Sequence, residues 1–200
     1  MDQLFPEDGR ADGENPVTRT AREMAKEAFL MAQRLRKSGC GLTKDELITS
    51  ARKIATSGQN FTRLICIIAK NCVDQRCSQE LLRIVEQIQT MSNQLCIISR
   101  VKASLARSKS SEELLVGNAQ QLLQAVSKAV RAAEAASLRG LRPPSPDPEE
   151  LEVAAFCMQW RRKLLRHRLQ ETSNMDCDEL SLRKTSTKTP STFVALVQDL

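Results

Sequence analysis

Four segments of this chain repeat small and apolar side chains at alternating spacings of four and three residues, each over three or more heptads. A spacing that averages 3.5 residues places these side chains on one face of an α-helix. Further apolar residues beside each stripe widen that face beyond the seam of a two-stranded coiled coil, which favours a bundle of several helices. The second stripe consists of Leu47, Ala51, Ile54, Gly58, Phe61, Ile65, Ile68 and Cys72.

Short connections between the stripes predict the topology. A loop of only a few residues joins helices that are neighbours and antiparallel. We therefore expect residues 17–140 to form an all-α, elongated, antiparallel up-and-down four-helix bundle, in which a helix of about 28 residues spans roughly 40 Å. The predicted connections are 38–43, 71–75 and 106–111.

Single residues within the pattern predict local details of this bundle. Thr20, Thr43 and Ser110 are each followed three residues later by glutamate, a capping-box pattern that indicates the start of a helix. Gly58 interrupts the second stripe and predicts either a close approach of another helix or a bend. Asn118 lies within the fourth stripe and is interpreted as a buried residue that fixes the packing register, in preference to a functional site.

The segments outside the bundle differ from it in composition. Residues 1–16 are acidic with Gly and Pro, and are expected to form a disordered arm. Residues 141–150 are rich in proline and predict a stiff linker, at the end of which Asp147 and Pro148 mark the start of a helix. A basic amphipathic helix is expected over 151–171, followed by a disordered tail over 172–200. Its predicted apolar stripe is Leu151, Ala155, Met158, Leu165 and Leu169.

The charge of the chain favours an acidic partner. The net charge is +6, which suits an acidic protein, an anionic membrane or nucleic acid, but it selects none of them alone. Seven cysteines without a secretory signal before them indicate reduced thiols in a cytosolic protein. The most apolar run, 64–69, is far shorter than the roughly 20 residues that span a bilayer.

Residue types that carry catalysis are scarce in this sequence. His167 is the only histidine, and its neighbours are cations without a carboxylate to orient it. Cys72 and Cys77 do not have the spacing of a zinc site. There is no glycine-rich phosphate loop and no nucleophile elbow. We expect no cofactor, no metal and no enzymatic activity, with an enzyme kept as the alternative of a different class.

The densest charged feature is a basic cluster at 161–168, directly after Trp160. It holds five Arg and Lys side chains in eight residues. Three interpretations remain open: a solvated helix end, an anionic-membrane surface with Trp160 at the interface, and a nuclear-localisation or nucleic-acid contact. Nucleic acid is the weakest of these because no recognition motif frames the cluster. The candidate membrane residues are Trp160, Arg161, Arg162, Lys163, Arg166 and Arg168.

Three short patterns resemble phosphorylation sites. Ser145 and Thr189 each precede a proline, and Ser186 follows Arg183 and Lys184. Patterns this short arise often by chance, so they remain candidates only.

Several runs of residues, in order, resemble the tail domain of the vinculin and α-catenin family. One is Thr43-Lys-Asp-Glu-Leu-Ile, with Ala51-Arg-Lys-Ile-Ala shortly after it. Another is Val130-Arg-Ala-Ala-Glu-Ala-Ala-Ser137. The resemblance covers about 17–139, and the run Phe156-Cys-Met-Gln-Trp-Arg-Arg-Lys163 is similar to the C-terminal arm of vinculin. Further matching runs are Thr62-Arg-Leu, Ala69-Lys, Gln94-Leu-Cys-Ile-Ile-Ser-Arg-Val-Lys-Ala103 and Asn118-Ala-Gln-Gln-Leu.

The resemblance implies a scaffold that connects cell adhesion to the cytoskeleton. Its bundle would bind actin filaments (F-actin) and acidic phospholipids, and would contact cadherin–catenin or other adhesion proteins. The chain resembles the α-catenin-like branch most, which also implies scaffolding of a Rho guanine nucleotide exchange factor. Such a protein is expected in the cytoplasm, on the cytoskeleton and at the cytoplasmic face of the plasma membrane. By family position, the actin surface includes Lys128, Arg131, Arg139 and Arg142, together with Arg161, Arg162 and Lys163.

Two departures from the family pattern shape the alternatives. Family tail bundles have five helices, and the first of them would precede the segment that matches here. The linker 141–150 is an insertion that is expected to move the Trp160 arm away from the end of the bundle. Two alternatives to actin binding therefore stay open: a Rho-pathway signalling scaffold without direct actin contact, and a binder of anionic membrane surfaces through the basic helix.

Overall fold

The computed structural model describes residues 15–37, 44–104 and 109–176, and these form five α-helices. The first four make an elongated antiparallel up-and-down bundle, as the sequence predicts. Each helix packs against the next, and α1 closes the ring against α4. The helices are α1 (Pro16–Arg36), α2 (Lys44–Asn71), α3 (Gln75–Ser104), α4 (Lys109–Arg139) and α5 (Pro148–Asp176).

The core of the bundle follows the predicted stripes closely. All eight residues of the second stripe are buried. Met24 and Met31 of α1, Leu81 and Ile88 of α3, and Leu122 of α4 are among the largest fully buried side chains. The 3.5-residue spacing is confirmed as the signal that directs these faces inward.

Gly58 lies where α1, α3 and α4 all approach α2. A Cβ atom at this position would lie 2.6 Å from Oγ of Ser92, 3.5 Å from Cε of Met24 and 3.7 Å from Cδ2 of Leu122. A contact of 2.6 Å is too short for two non-bonded heavy atoms that do not share a hydrogen bond. Any side chain at this position would require Ser92 to turn away, so the glycine allows the close approach of the helices, which is one of the two roles predicted for it.

Two predicted helix starts are wrong in position. α1 begins at Pro16, one turn before Thr20, because Oδ1 of Asn15 accepts a hydrogen bond from the Val17 backbone N–H at 2.8 Å and Pro16 fits the first helical position. α4 begins at Lys109, so Ser110 lies within the first turn of the helix and not before it. Thr43 lies outside the described residues.

Asn118 does not have the buried position predicted for it. Its side chain is half-buried, and its Nδ2 donates to the backbone carbonyl of Leu114 at 2.8 Å, within the same helix. Among the described residues, the buried polar side chains of the bundle include Lys102, which is 2 % exposed. Its Nζ donates to Oγ of Ser111 at 2.9 Å and lies 3.7 Å from Oε1 of Glu112, so the burial of the charge is compensated.

The proline-rich linker turns back toward the bundle at once. Gly140 ends α4 with a φ of 105°, which glycine adopts without strain. The segment after it pairs with the α2–α3 turn: the Val73 N–H donates to the Gly140 carbonyl at 3.4 Å, and the Arg142 N–H donates to the Asn71 carbonyl at 2.7 Å. The expectation that the linker moves the Trp160 arm away from the bundle is therefore wrong.

α5 packs against α4 and α2 through a different face from the predicted one. Val153, Phe156, Cys157 and Trp160 are buried on this face. The helix begins at Pro148, where Asp147 and Pro148 predict its start, and it extends past the predicted end at 171 to Asp176. The predicted stripe lies on the exposed side of α5. Its exposed residues are Leu151, Ala155, Met158, Leu165 and Leu169.

Within the described residues, no helix is long and apolar enough to cross a membrane.

Candidate interaction surface

The described part of the chain brings together no group of three or more His, Cys, Asp or Glu residues that could hold a metal ion. A groove in that part lies between α2 and α3. Its lining contains amides, a hydroxyl, a guanidinium and a thiol, without the carboxylate or imidazole that proton transfer commonly uses. The lining residues are Gln59, Thr62, Arg63, Cys66, Gln89 and Asn93.

An exposed strip, made mostly of polar side chains, runs along α4 on the side of that helix away from the core. Lys128 and Arg131 lie in its middle, three positions apart, and both are exposed. Glu134, three positions after Arg131 in α4, is half-buried. Burial raises the pKa of its carboxyl, and the charge of Arg131 opposes that rise. The exposed strip consists of Gln121, Gln124, Lys128, Arg131, Ala135 and Arg139.

Arg139, one of the predicted actin residues, has an intramolecular partner. Its guanidinium forms an ion pair with Asp74 in the α2–α3 turn. Hydrogen bonds from Arg139 and from the Arg76 backbone N–H hold the pKa of the Asp74 carboxyl below its ordinary value. Arg139 therefore ties the end of α4 to the turn between α2 and α3, and only the remaining 59 % exposed part of its side chain faces solvent.

The end of α4 and the middle of α5 meet near Gly140. Nη1 of Arg161 lies 3.9 Å from the position that a Cβ atom on Gly140 would take. Arg142 is exposed and follows two residues after Gly140. The structure therefore gathers Arg139, Arg142 and Arg161 at one end of the bundle, although the sequence separates the last from the first two.

The basic cluster of α5 is solvent-facing beyond this point. Its five Arg and Lys side chains are exposed, and Leu164 is the half-buried residue among them. Trp160 does not share this surface. It is 7 % exposed and packs in the core, so the expectation of a tryptophan at a membrane interface does not fit its position in this structure. The solvent-facing cations are Arg161, Arg162, Lys163, Arg166 and Arg168.

A cluster of polar contacts fastens the first turn of α5 to α2. Oε1 of Glu150 lies 2.5 Å from Nζ of Lys70, and its other oxygen, Oε2, accepts from Oγ of Ser145 at 2.6 Å and from the Ser145 N–H at 3.1 Å. Together these donors lower the pKa of the Glu150 carboxyl to about 2, with the bond from Lys70 as the largest cause. Glu149 forms a second ion pair, at 2.9 Å, with Arg63.

Sequence reasoning missed this cluster because its partners are far apart in the chain. Lys70 and Glu150 are 80 residues apart. Ser145 is the one member of the cluster that the sequence analysis names, and it is named there as a phosphorylation candidate and not as a structural residue. Ser145 is exposed, whereas Ser186 and Thr189, the other two candidates, lie outside the described residues.

Five cysteines within the described residues are free thiols. Cys157 of α5 is buried, and this burial raises the pKa of its thiol to about 11. Burial also raises the thiol pKa of Cys66 and Cys72. These thiols behave as small apolar side chains, not as nucleophiles.

Comparison with known proteins identifies the family. The sequence pattern of the Vinculin family matches residues 10–168, which is well over half of the chain. The chain belongs to the vinculin family. The match extends past the bundle and through the docked part of α5, so the C-terminal helix belongs to the shared region as well.

Vinculins of several animals are similar to this vinculin-family chain. Vinculin of Drosophila melanogaster is 40 % identical over 134 residues, which cover 63 % of this chain and 14 % of that protein. Human vinculin is 39 % identical over 159 residues, which cover 74 % of this chain and 13 % of that protein. The chain thus spans a small part of the length of these relatives. Its assignment to the α-catenin-like branch stays a prediction.

A solved structure supports the fold of this vinculin-family chain. A vinculin homolog from a sponge (phylum Porifera) superimposes with a TM-score of 0.51 and 30 % sequence identity, over 74 % of this chain and 21 % of that one. The helical-bundle architecture is therefore shared with a protein of the same family.

Proposed function

We propose that this chain is a non-catalytic scaffold that connects cell adhesion to the cytoskeleton, and that it binds F-actin. The observation that carries the proposal is the exposed α4 strip with Lys128 and Arg131, which leads into the cations Arg142 and Arg161 at the bundle end. A cationic strip of this kind complements an acidic protein surface. Membership of the vinculin family supports the same role.

The shape of the bundle supports contact with a filament. α4 has 31 residues, and an α-helix of that length extends over about 46 Å. The exposed strip follows most of the second half of this helix, so that its charges contact the partner along one line. Lys128 and Arg131 are exposed and lie outside the core, which leaves their side chains available for binding.

Adhesion partners and location follow as expectations from the family. The sponge homolog is connected with vertebrate-like cell adhesions, and we propose cadherin–catenin or other adhesion proteins as partners of this chain. The cytoplasm, the cytoskeleton and the cytoplasmic face of the plasma membrane are the proposed locations. A Rho guanine nucleotide exchange factor remains a proposed further partner.

Co-sedimentation with F-actin over a series of salt concentrations tests the actin proposal. We expect the chain to pellet with filaments at low salt and to be released as salt increases, because the Debye length falls to about 8 Å at 0.15 M ionic strength. Absence of pelleting at low salt would contradict actin binding. A pull-down that recovers the Rho exchange factor in that case would favour the alternative of a Rho-pathway scaffold without actin contact.

Binding to anionic phospholipids is a second candidate function, carried by the five exposed cations of α5. Basic side chains clustered on a surface helix are attracted to the negative surface of a membrane. Trp160 is excluded from this proposal in the docked state because it is buried. Flotation with phosphatidylserine vesicles should be lost when Arg161, Arg162 and Lys163 are changed to Gln, and unchanged flotation would reject the proposal.

A further inference from the structure

Ser145 makes two hydrogen bonds to one oxygen of a buried carboxylate. Both its N–H, at 3.1 Å, and its Oγ, at 2.6 Å, lie within hydrogen-bond distance of Oε2 of Glu150. Glu150 is 5 % exposed, and an ionised carboxylate only accepts hydrogen bonds. The Ser145 hydroxyl must therefore be the donor in this contact.

The surroundings of Ser145 have the form of a kinase substrate. Ser145 is exposed and is followed by Pro146, which is the pattern of a proline-directed phosphorylation site. Two further prolines precede it and keep this segment out of any helix. A hydroxyl on an extended, exposed segment is available to the active site of a protein kinase.

We infer that Ser145 is a phosphorylation site, and that its phosphorylation detaches α5 from the four-helix bundle. In the modifying step, Oγ of Ser145 attacks the γ-phosphorus of a nucleoside triphosphate that a proline-directed protein kinase supplies. The bond between the γ-phosphorus and its bridging oxygen breaks, the nucleoside diphosphate leaves, and a base of the kinase takes the hydroxyl proton.

The phosphoryl group turns the attraction between Ser145 and Glu150 into repulsion. The modified oxygen has no proton to donate, and the group adds about 1.5 to 2 negative charges at neutral pH. These charges arise beside the Glu150 carboxylate, where only 2.6 Å separated the two oxygen atoms before modification. Two anions at this separation repel each other, and neither can hydrogen-bond to the other.

The cations and acids nearby do not restore the contact. Asp147 and Glu149 are further carboxylates at the start of α5, so the positive end of the helix dipole is already occupied by acidic groups. Lys70 is the cation that pairs with Glu150, at 2.5 Å. If Lys70 turns to the phosphoryl group, Glu150 is left buried without its counter-charge, which is costly. Whether Lys70 stays with Glu150 or turns to the phosphoryl group, the three residues Lys70, Glu150 and Ser145 are no longer linked.

The remaining attachment of α5 is mostly apolar. It consists mainly of four buried side chains: Val153, Phe156, Cys157 and Trp160. These four residues join the buried cluster of the bundle, but most members of that cluster lie in α1 to α4. Loss of the polar cluster should therefore release α5 while the bundle stays folded, and should move Trp160 into solvent.

The sole tryptophan makes the test direct, since Trp160 is the only Trp and there is no Tyr. The full chain is treated with a proline-directed kinase and ATP, and mass spectrometry reports the occupancy of Ser145. The expected result is a red-shifted Trp160 emission, stronger quenching by acrylamide and faster maleimide labelling of Cys157, with unchanged helical circular dichroism. Ser145→Ala treated in the same way is the matched control, since any phosphorylation at Thr189 is retained in it.

Two results would overturn the inference. One is a chain that the kinase leaves unmodified at Ser145. The other is stoichiometric phosphorylation at Ser145 with Trp160 emission and quenching equal to those of the treated Ser145→Ala chain. In a Glu150→Gln background, phosphorylation should add little further change, because the repelling carboxylate is absent. No actin is present in these measurements, so their outcome is separate from that of the actin proposal.

Discussion

Lys70 of α2 and Glu150 of α5 form an ion pair, with 2.5 Å between Nζ and Oε1, that fastens the C-terminal helix to the bundle. Lys70 lies on the surface, while Glu150 is almost completely enclosed by its partners. The pair holds α5 at its first turn, and the apolar side chains down to Trp160 hold it further along. Beyond Arg161 the helix presents its basic side chains to solvent.

The docking of α5 should depend on pH. Its three hydrogen bonds lower the pKa of Glu150 from its ordinary 4.5 to about 2. Because the folded pKa is depressed, the stabilisation is complete above pH 4.5 and is lost as the pH falls toward 2. Trp160 emission followed from pH 7 downward should show the loss of docking in this window. Glu152→Gln, at an exposed neighbouring position, should keep the profile, whereas Glu150→Gln should remove this transition. An identical transition in Glu150→Gln would contradict the assignment.

Gly58→Ala should destabilise the bundle. Alanine favours a helix over glycine by about 1 kcal/mol, but its Cβ would lie 2.6 Å from Oγ of Ser92, and overpacking of this kind costs about 1–3 kcal/mol. Urea unfolding followed by circular dichroism measures the difference. Gly117→Ala is the matched control, because nothing lies within 4 Å of its added Cβ, and it should stabilise the bundle by about 0.5–1 kcal/mol. Adding Ser92→Ala to the Gly58→Ala chain should restore part of the lost free energy of unfolding. A Gly58→Ala chain as stable as the parent would refute the close-contact account.

Lys102→Met should be strongly destabilising. Lys102 is 2 % exposed and faces the buried Glu112, so its replacement by Met breaks a buried ion pair, at a cost of about 3–5 kcal/mol. Arg100→Met, two positions earlier on the exposed side of α3, should change the free energy of unfolding by less than about 0.5 kcal/mol. Chemical denaturation of both variants provides the comparison. Equal effects would mean that the Lys102–Glu112 pair does not stabilise the α3–α4 packing.

The bundle could be predicted from the sequence because its signal is local and repeated. Each of the eight residues of the second stripe independently indicates the same face, and every one of them is buried. α5 shows where this reasoning ends. Its apolar residues fit two faces, one through Leu151 and Met158 and one through Val153 and Trp160, and only the packing against α4 and α2 decides between them.

The candidate surface could be predicted only in part, for a similar reason. Lys128 and Arg131 lie off the apolar stripe, so their exposure follows from the spacing alone. The partners of Arg139 and Glu150 are Asp74 and Lys70, which are 65 and 80 residues away. Contacts over such separations depend on how the helices turn back, and no short pattern in the sequence encodes them.

The most direct test of the proposed function compares charge reversal on two faces of the same bundle by F-actin co-sedimentation. Lys128→Glu combined with Arg131→Glu reverses the exposed α4 strip, and Arg83→Glu combined with Arg100→Glu makes the same change in charge on exposed positions of α3. All four positions are exposed, so circular dichroism should confirm an intact bundle in both variants. We predict that the α4 variant no longer pellets with filaments at low salt while the α3 variant pellets like the parent. Equal pelleting of the two variants would contradict an actin surface on α4.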